Sequence, residues 1–187
     1  MTCSGSCASA VRTPPARASE PGPARPSVRI EPWGPDDLPL LRRCVGDPAM
    51  MEHLGGAEAE AKIAERQARY ERPGSRQFKI VDEGTGEGVG WVGYWEREWD
   101  GEPVFEIGWA VVPSHQGRGI AGAATLRAIE QARYERPQRV LFAYPSVENA
   151  ASNAICGKLG FELLGAEEFE YPKGSFMSCN VWRLRLS

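Results

Sequence analysis

Histidine is scarce in this sequence. His53 and His115 are the only two, and neither stands at ligand spacing from a cysteine or from the other. That disfavours a zinc site. The five cysteines (Cys3, Cys7, Cys44, Cys156 and Cys179) include no CxxC pair, and an odd number cannot all pair internally. Such usage fits a reducing, cytoplasmic setting. No run approaches the roughly 18 apolar residues a helix needs to cross a bilayer, so no membrane partner is expected. Excess positive charge is also missing. The chain has 22 Lys+Arg against 25 Asp+Glu, a formal net charge of −3, so no nucleic-acid partner is expected. The N-terminus lacks the continuous apolar stretch of a secretory signal, so export is not expected.

What remains suits one soluble domain with an appendage: 187 residues, 42% hydrophobic and 25% charged. Residues 1–27 contain five prolines and no Leu, Ile, Phe, Trp or Tyr. A segment so poor in large apolar side chains cannot offset its ordering entropy, and a disordered Pro-rich tail is predicted. Arg12, Arg17 and Arg25, less Glu20, make it basic by +2, leaving −5 on residues 28–187.

The body reads as α+β. Strands are predicted over 28–32, 77–81, 89–95, 104–112, 139–144, 161–171 and 176–186. Helices are predicted over 38–45, 57–72, 117–134 and 149–159, with a short helical turn within 48–54. Ile63, Gln67 and Tyr70 share one face of the second helix. Asp100-Gly101 is a hairpin signal, and strands joined by short turns should pair antiparallel.

The junction between the 104–112 strand and the next helix carries the chemistry. Its residues are Ser114-His115-Gln116-Gly117-Arg118-Gly119-Ile120-Ala121. A helix start presents unpaired N–H groups and partial positive charge, and glycines let a phosphate come close. Arg118 could add a charged hydrogen bond. Gly117-x-Gly119-x-x-Gly122 matches the dinucleotide fingerprint, but its context fails. The next strand ends Phe142-Ala143-Tyr144-Pro145, without the acidic residue that would hold a ribose. No Lys-Ser/Thr follows the glycines, which excludes a P-loop.

Gln116-Gly117-Arg118-Gly119-Ile120-Ala121 resembles the Gln/Arg-x-x-Gly-x-Gly/Ala signature of the GCN5-related N-acetyltransferase (GNAT) superfamily. Glu106-Ile107-Gly108-Trp109 looks like the fourth strand of its ribosomal-protein-type branch. Asn149-Ala-Ala-Ser152-Asn153 with Lys158-Leu159-Gly160-Phe161 resembles the second signature. The resemblance implies the family's mixed, largely antiparallel sheet, with helices on both faces and splayed strands 4 and 5. It implies acetyl-CoA as cofactor, with pantetheine in that split against Ala110, Val111 and Val112. Pyrophosphate would lie on the amides of Gln116, Gly117, Arg118, Gly119, Ile120 and Ala121, with Asn149, Ser152 and Asn153 nearby. It further implies amine attack on the thioester, with Val111 or Val112 N–H near the oxygen that gains charge.

Glu106 is the first candidate for the base, near a bulge expected at Trp109-Ala110; its alternative is a role in the sheet or in substrate binding. The family's usual Tyr position holds Cys156, a weak donor or a buried hydrophobe. Ser152 is the other candidate acid, with Tyr94, Tyr144 and Tyr171 in reserve. The acceptor is a small-molecule amine or a protein N-terminus. Trp91, Trp95, Trp99 and Trp109 are packing residues, of which one or two would line the acceptor pocket. Glu96, Glu98 and Asp100 form an acidic cleft wall or a solvated hairpin tip. A non-catalytic acyl-CoA-binding module is the alternative function, and family members often form homodimers.

Overall fold

The computed structural model describes residues 26–135, 139–170, 174 and 176–186. Residues 1–25, with Cys3 and Cys7, lie outside the described residues, as does Tyr171. Seven strands form one sheet in the order β1-β2-β3-β4-β5-β7-β6. They are β1 (Val28–Pro32), β2 (Gln77–Asp82), β3 (Gly88–Trp99), β4 (Glu102–Val111), β5 (Val140–Ala143), β6 (Glu162–Glu170) and β7 (Phe176–Arg185). The helices are α1 (Leu38–Val45), α2 (Glu60–Tyr70), α3 (Ile120–Tyr134) and α4 (Ala150–Lys158). This is the α+β arrangement the sequence implied.

β3 and β4 run past their predicted ends because the turn between them is tight. Asp100 (φ 52°) and Gly101 (φ 78°) both take positive φ, the signature of a two-residue turn whose twist matches the flanking strands. Pairing therefore continues to Trp99↔Glu102. Facing residues share a side, so Trp91, Trp95 and Arg97 lie with Ala110, Glu106 and Val104 on one face. Tyr94, Phe105 and Ile107 lie on the other. α2 covers the first face, where Tyr70 meets Trp91 at 5.9 Å between ring centroids. α3 covers the second, and Glu135 just beyond its end accepts a 2.6 Å hydrogen bond from the Tyr94 hydroxyl. The core between them is apolar, with Leu41, Ile80, Phe105, Ile120 and Ile129 almost wholly buried.

The expected bulge at Trp109-Ala110 is absent. The β3–β4 register is uninterrupted from Gly90↔Val111 to Trp99↔Glu102. A close approach takes the bulge's place: a Cβ on Gly90 would come within 2.1 Å of the Ala110 carbonyl oxygen. Backbone, not a flexible side-chain end, blocks that space. Gly90→Ala is expected to destabilise the fold by about 1–3 kcal/mol, the usual scale of overpacking. A thermal melt checks this, and an unchanged Tm would show that the strands part without cost.

β4 and β5 are parallel and paired only at Phe105↔Leu141 and Glu106↔Phe142. Beyond Glu106 the two strands separate. β5 then finds its other neighbour in β7, from Val140↔Arg185 to Ala143↔Trp182.

Candidate active site

The split leaves main-chain groups of β4 without strand partners, and the ladder says which. Val112 N–H donates to the Val89 carbonyl (2.9 Å), and Tyr94 N–H to the Arg76 carbonyl (3.0 Å). Antiparallel residues alternate between facing one neighbour and facing the other. Hence Glu106, Gly108, Ala110 and Val112 turn their amides to β3, and Ile107, Trp109 and Val111 turn theirs the other way; the last parallel pair, Glu106↔Phe142, takes up Ile107 N–H, which leaves Trp109 and Val111 facing the gap. Of the three positions expected against the cofactor, only Val111 offers its N–H. Ala110 and Val112 are corrected on this point, because their amides are spent on β3. Trp109 was missed; alternation counted back from Val111 would have found it. The Val111 carbonyl accepts from Gln116 Nε2 (2.9 Å), which also lies 3.3 Å from Met50 Sδ.

The turn into α3 has the expected shape. Gly117 (φ 72°) and Gly119 (φ 80°) take left-handed conformations that L side chains rarely adopt. Among the described residues no backbone acceptor is recorded for the N–H groups of Gly117, Arg118 or Gly119. Ile120 and Ala121 add first-turn N–H groups of a 15-residue helix. Gln116 differs, since its N–H closes a turn on the Pro113 carbonyl (3.2 Å). The Arg118 side chain also departs from expectation: it pairs with the buried Asp82 carboxylate (3.2 Å) at the end of β2.

α4 starts beside the gap. Asn149 caps it, its Oδ1 accepting from Ser152 N–H at 3.0 Å. The Ser152 hydroxyl is half-buried and has no hydrogen-bond partner among the described residues. Asn153 is not free to hold a ligand. Its Nδ2 donates to the Ser146 and Asn149 carbonyls, and its Oδ1 accepts from Asn180 and Trp182, which uses its whole hydrogen-bonding capacity. It pins α4 to β7 instead.

One cleft of about 1840 Å³ joins these parts and opens toward the α1–α2 connection. Val111, Gln116, Gly117, Gly119, Asn149 and Ser152 line it together with Glu106. Trp91, Trp95 and Trp109 also line it, while Trp99 stacks on Phe142 at 4.8 Å. Cys156 is absent from the cleft wall. It is fully buried in the core, and burial pushes its thiol up to about 12. A thiol so placed packs and does not exchange protons with the cleft, so the expectation of an acid at Cys156 gives way to its packing alternative.

Glu106 is mostly buried. Burial raises its carboxyl above the ordinary glutamate value, opposed by the hydrogen bond and charge of Arg97 and by the Trp95 indole N–H. Arg97 itself was missed. Its signal lay in the hairpin: with Asp100-Gly101 as the turn, Trp95 faces Glu106 and Arg97 becomes the diagonal neighbour. Glu98 and Asp100 do not line the cleft and form the solvated tip of the hairpin, whereas Glu96 lines the cleft and pairs with Arg76 (3.5 Å). Tyr94 is committed to Glu135, whereas the Tyr144 hydroxyl lies buried in the cleft wall without a partner among the described residues.

The acetyltransferase (GNAT) domain family matches residues 27–162. The chain belongs to the GNAT acetyltransferases. Its acetyl donor is acetyl-CoA, and the unpaired β4 amides and the free N–H groups of the α3 turn fit an amide-bearing arm ending in a pyrophosphate. Solved structures of other proteins share the fold. A ribosomal-protein-alanine N-acetyltransferase from Brucella melitensis is 23% identical, over 85% of this chain and 99% of that one, with a TM-score of 0.68. A spermidine N-acetyltransferase from Vibrio cholerae, solved with CoA and spermine, is 16% identical over 85% and 95% (TM-score 0.70). An N-acetyltransferase from Staphylococcus aureus Mu50 is 19% identical over 86% and 99% (TM-score 0.70). Among the described residues of this GNAT chain no group of three or more His, Cys, Asp or Glu could hold a metal ion, and no helix is long and apolar enough to cross a membrane.

Proposed function

We propose that this enzyme acetylates a primary amine by direct attack within a ternary complex, the acceptor entering from the α1–α2 side. One observation carries the reading. A single cleft takes in the α3 turn, the unpaired edge of β4, Glu106 and the free hydroxyl of Ser152. Acetyl-CoA supplies a thioester carbonyl there.

Each residue then has a task. The amides of Gly117, Gly119, Ile120 and Ala121 hold the phosphates. Trp109 and Val111 align the arm, and Val111 N–H stabilises the oxygen that gains negative charge. Glu106 takes the proton of the incoming ammonium, directly or through a water, because only the free amine is a nucleophile. The N–C bond forms as the C–S bond breaks, Ser152 hands its proton to the leaving thiolate, and the second proton lost by the nitrogen restores that hydroxyl through water. Cys156 fills core volume. A protein N-terminus of the ribosomal type remains within the acceptor class, on the strength of the Glu106–Trp109 motif.

The test is release of free thiol from acetyl-CoA across a panel of amines. Amine-dependent release is expected, and none with any amine would overturn the reading. Ser152→Ala should lower kcat about 100-fold, the low end for a single proton donor, with little change in the KM for acetyl-CoA. An unchanged kcat would remove Ser152 from the mechanism.

A further inference from the structure

The acceptor half of the cleft is built around a cation. The Arg97 guanidinium lies 4.6 Å from the Tyr144 ring centroid and 5.6 Å from that of Phe169. Its Nη1 donates to Glu106, while Nε and Nη2 have no partner among the described residues. About a third of the side chain (35%) remains exposed in the cleft wall. Aromatic contact holds the plane and Glu106 holds one edge. The remaining N–H groups suit a planar oxyanion, which a guanidinium binds with two parallel hydrogen bonds.

Unmatched polar atoms also lie farther along the same sheet face. Trp91 Nε1 and Gln77 Oε1 are buried without partners among the described residues, and their residues are only 8% and 7% exposed. Trp91 alternates with Trp95 and Arg97 along β3, and Gln77 pairs across from Gly93 between them. A polyamine would need spare carboxylates. Two of the cleft's four glutamates, Glu96 and Glu106, are already ion-paired, to Arg76 and Arg97. At the rim Arg69 and Arg72 have no carboxylate partner among the described residues.

We propose that the acceptor is an amino-carboxylate, its carboxylate on the open edge of Arg97 and its nitrogen beside Glu106. This rests on the acetyltransferase reading above and narrows its acceptor. The carboxylate belongs either to a free amino acid or to an acidic side chain next to a peptide's N-terminus; the chemistry is the same.

Matched pairs test it. CoA release is followed with amino acids against their carboxamides, with an Asp-containing N-terminal peptide against its Asn twin, and with spermidine as a carboxylate-free amine. The carboxylate member is expected to lead its twin in kcat/KM by about tenfold or more, as charge-assisted hydrogen bonds do. The pair that reacts better identifies the source. Arg97→Gln should bring the ratio to within about threefold of unity, and Arg97→Lys should leave it between the two, since an ammonium keeps the charge but not the fork. Both twins meet the same Glu106, so the loss of its partner cancels in the ratio. Thermal stabilisation by acetyl-CoA shows that each variant is folded. A ratio near unity in the unaltered enzyme, a ratio untouched by Arg97→Gln, or a preference for spermidine overturns the proposal and leaves the acetyltransferase reading standing. Absence of turnover with every amine, in protein that acetyl-CoA stabilises, overturns both.

Discussion

Glu106→Gln is expected to lower kcat/KM by about 100-fold or more, the scale of a lost general base. The amide keeps the size and most hydrogen bonds of the carboxylate, so the sheet and the Trp95 contact should survive. What it cannot do is accept the ammonium proton. The pH profile separates this from a structural loss. Burial holds the Glu106 carboxyl above its ordinary range despite Arg97. The base works only when ionised, so activity should rise with pH through that raised value and fall as pH drops below it. In the Gln variant this acidic limb should vanish, while the alkaline side, set by the acceptor's own ammonium, remains. A variant with the same limb and rate would exclude Glu106 as the base and leave it a partner for Arg97.

The second large effect is expected at the phosphate turn. Gly119 takes φ 80° as the residue before α3. A β-branched side chain there meets a backbone penalty of about 1–2 kcal/mol, and the cheapest relief is to rotate the turn. Rotation would redirect the N–H groups of Gly119, Ile120 and Ala121 away from a common point. Gly119→Val should therefore raise the KM for acetyl-CoA by about tenfold or more, with each lost charge-assisted bond contributing. Stabilisation of the fold by CoA should fall in parallel. Gly119→Ala, without branching, should fall between. An unchanged KM for acetyl-CoA would mean that the phosphates are held elsewhere. Pro26 lies about 3.5 Å from the place a Gly119 Cβ would occupy, so the Val variant also crowds the chain just before β1.

Much of the fold was legible because local rules and tertiary demands agreed. Ile63, Gln67 and Tyr70 repeat at helical spacing and are the buried residues of α2. The alternation in β2 and the Asp100-Gly101 turn fixed antiparallel pairing without reference to distant residues. Helix starts were less well placed. The third helix was predicted from Gly117 but begins at Ile120, because Gly117 and Gly119 spend their freedom on the turn. β3 and β4 were cut short for the opposite reason. Glu96, Arg97 and Glu98 look like a loop to a hydrophobicity reading, yet the tight turn keeps them paired.

The site divides along the same line. Motif spacing was enough to bring Glu106, Gln116, Gly117, Gly119, Asn149 and Ser152 to one cleft. It could not say which amides of β4 are free, because that depends on the phase of the ladder with β3. Nor could it tell that Asn153 and Arg118 are engaged by Trp182, Asn180 and Asp82, partners distant in sequence.

The sequence by itself determined the element order, the glycine turn before α3 and the membership that goes with it, since each rests on neighbours along the chain. Tertiary structure alone decided the division of labour. It removed Cys156 to the core, turned Val111 and not Val112 to the gap, and set Arg97 against Tyr144, Phe169 and Glu106. Burial, ladder phase and cross-strand contact are properties of assembled strands, and no single segment carries them.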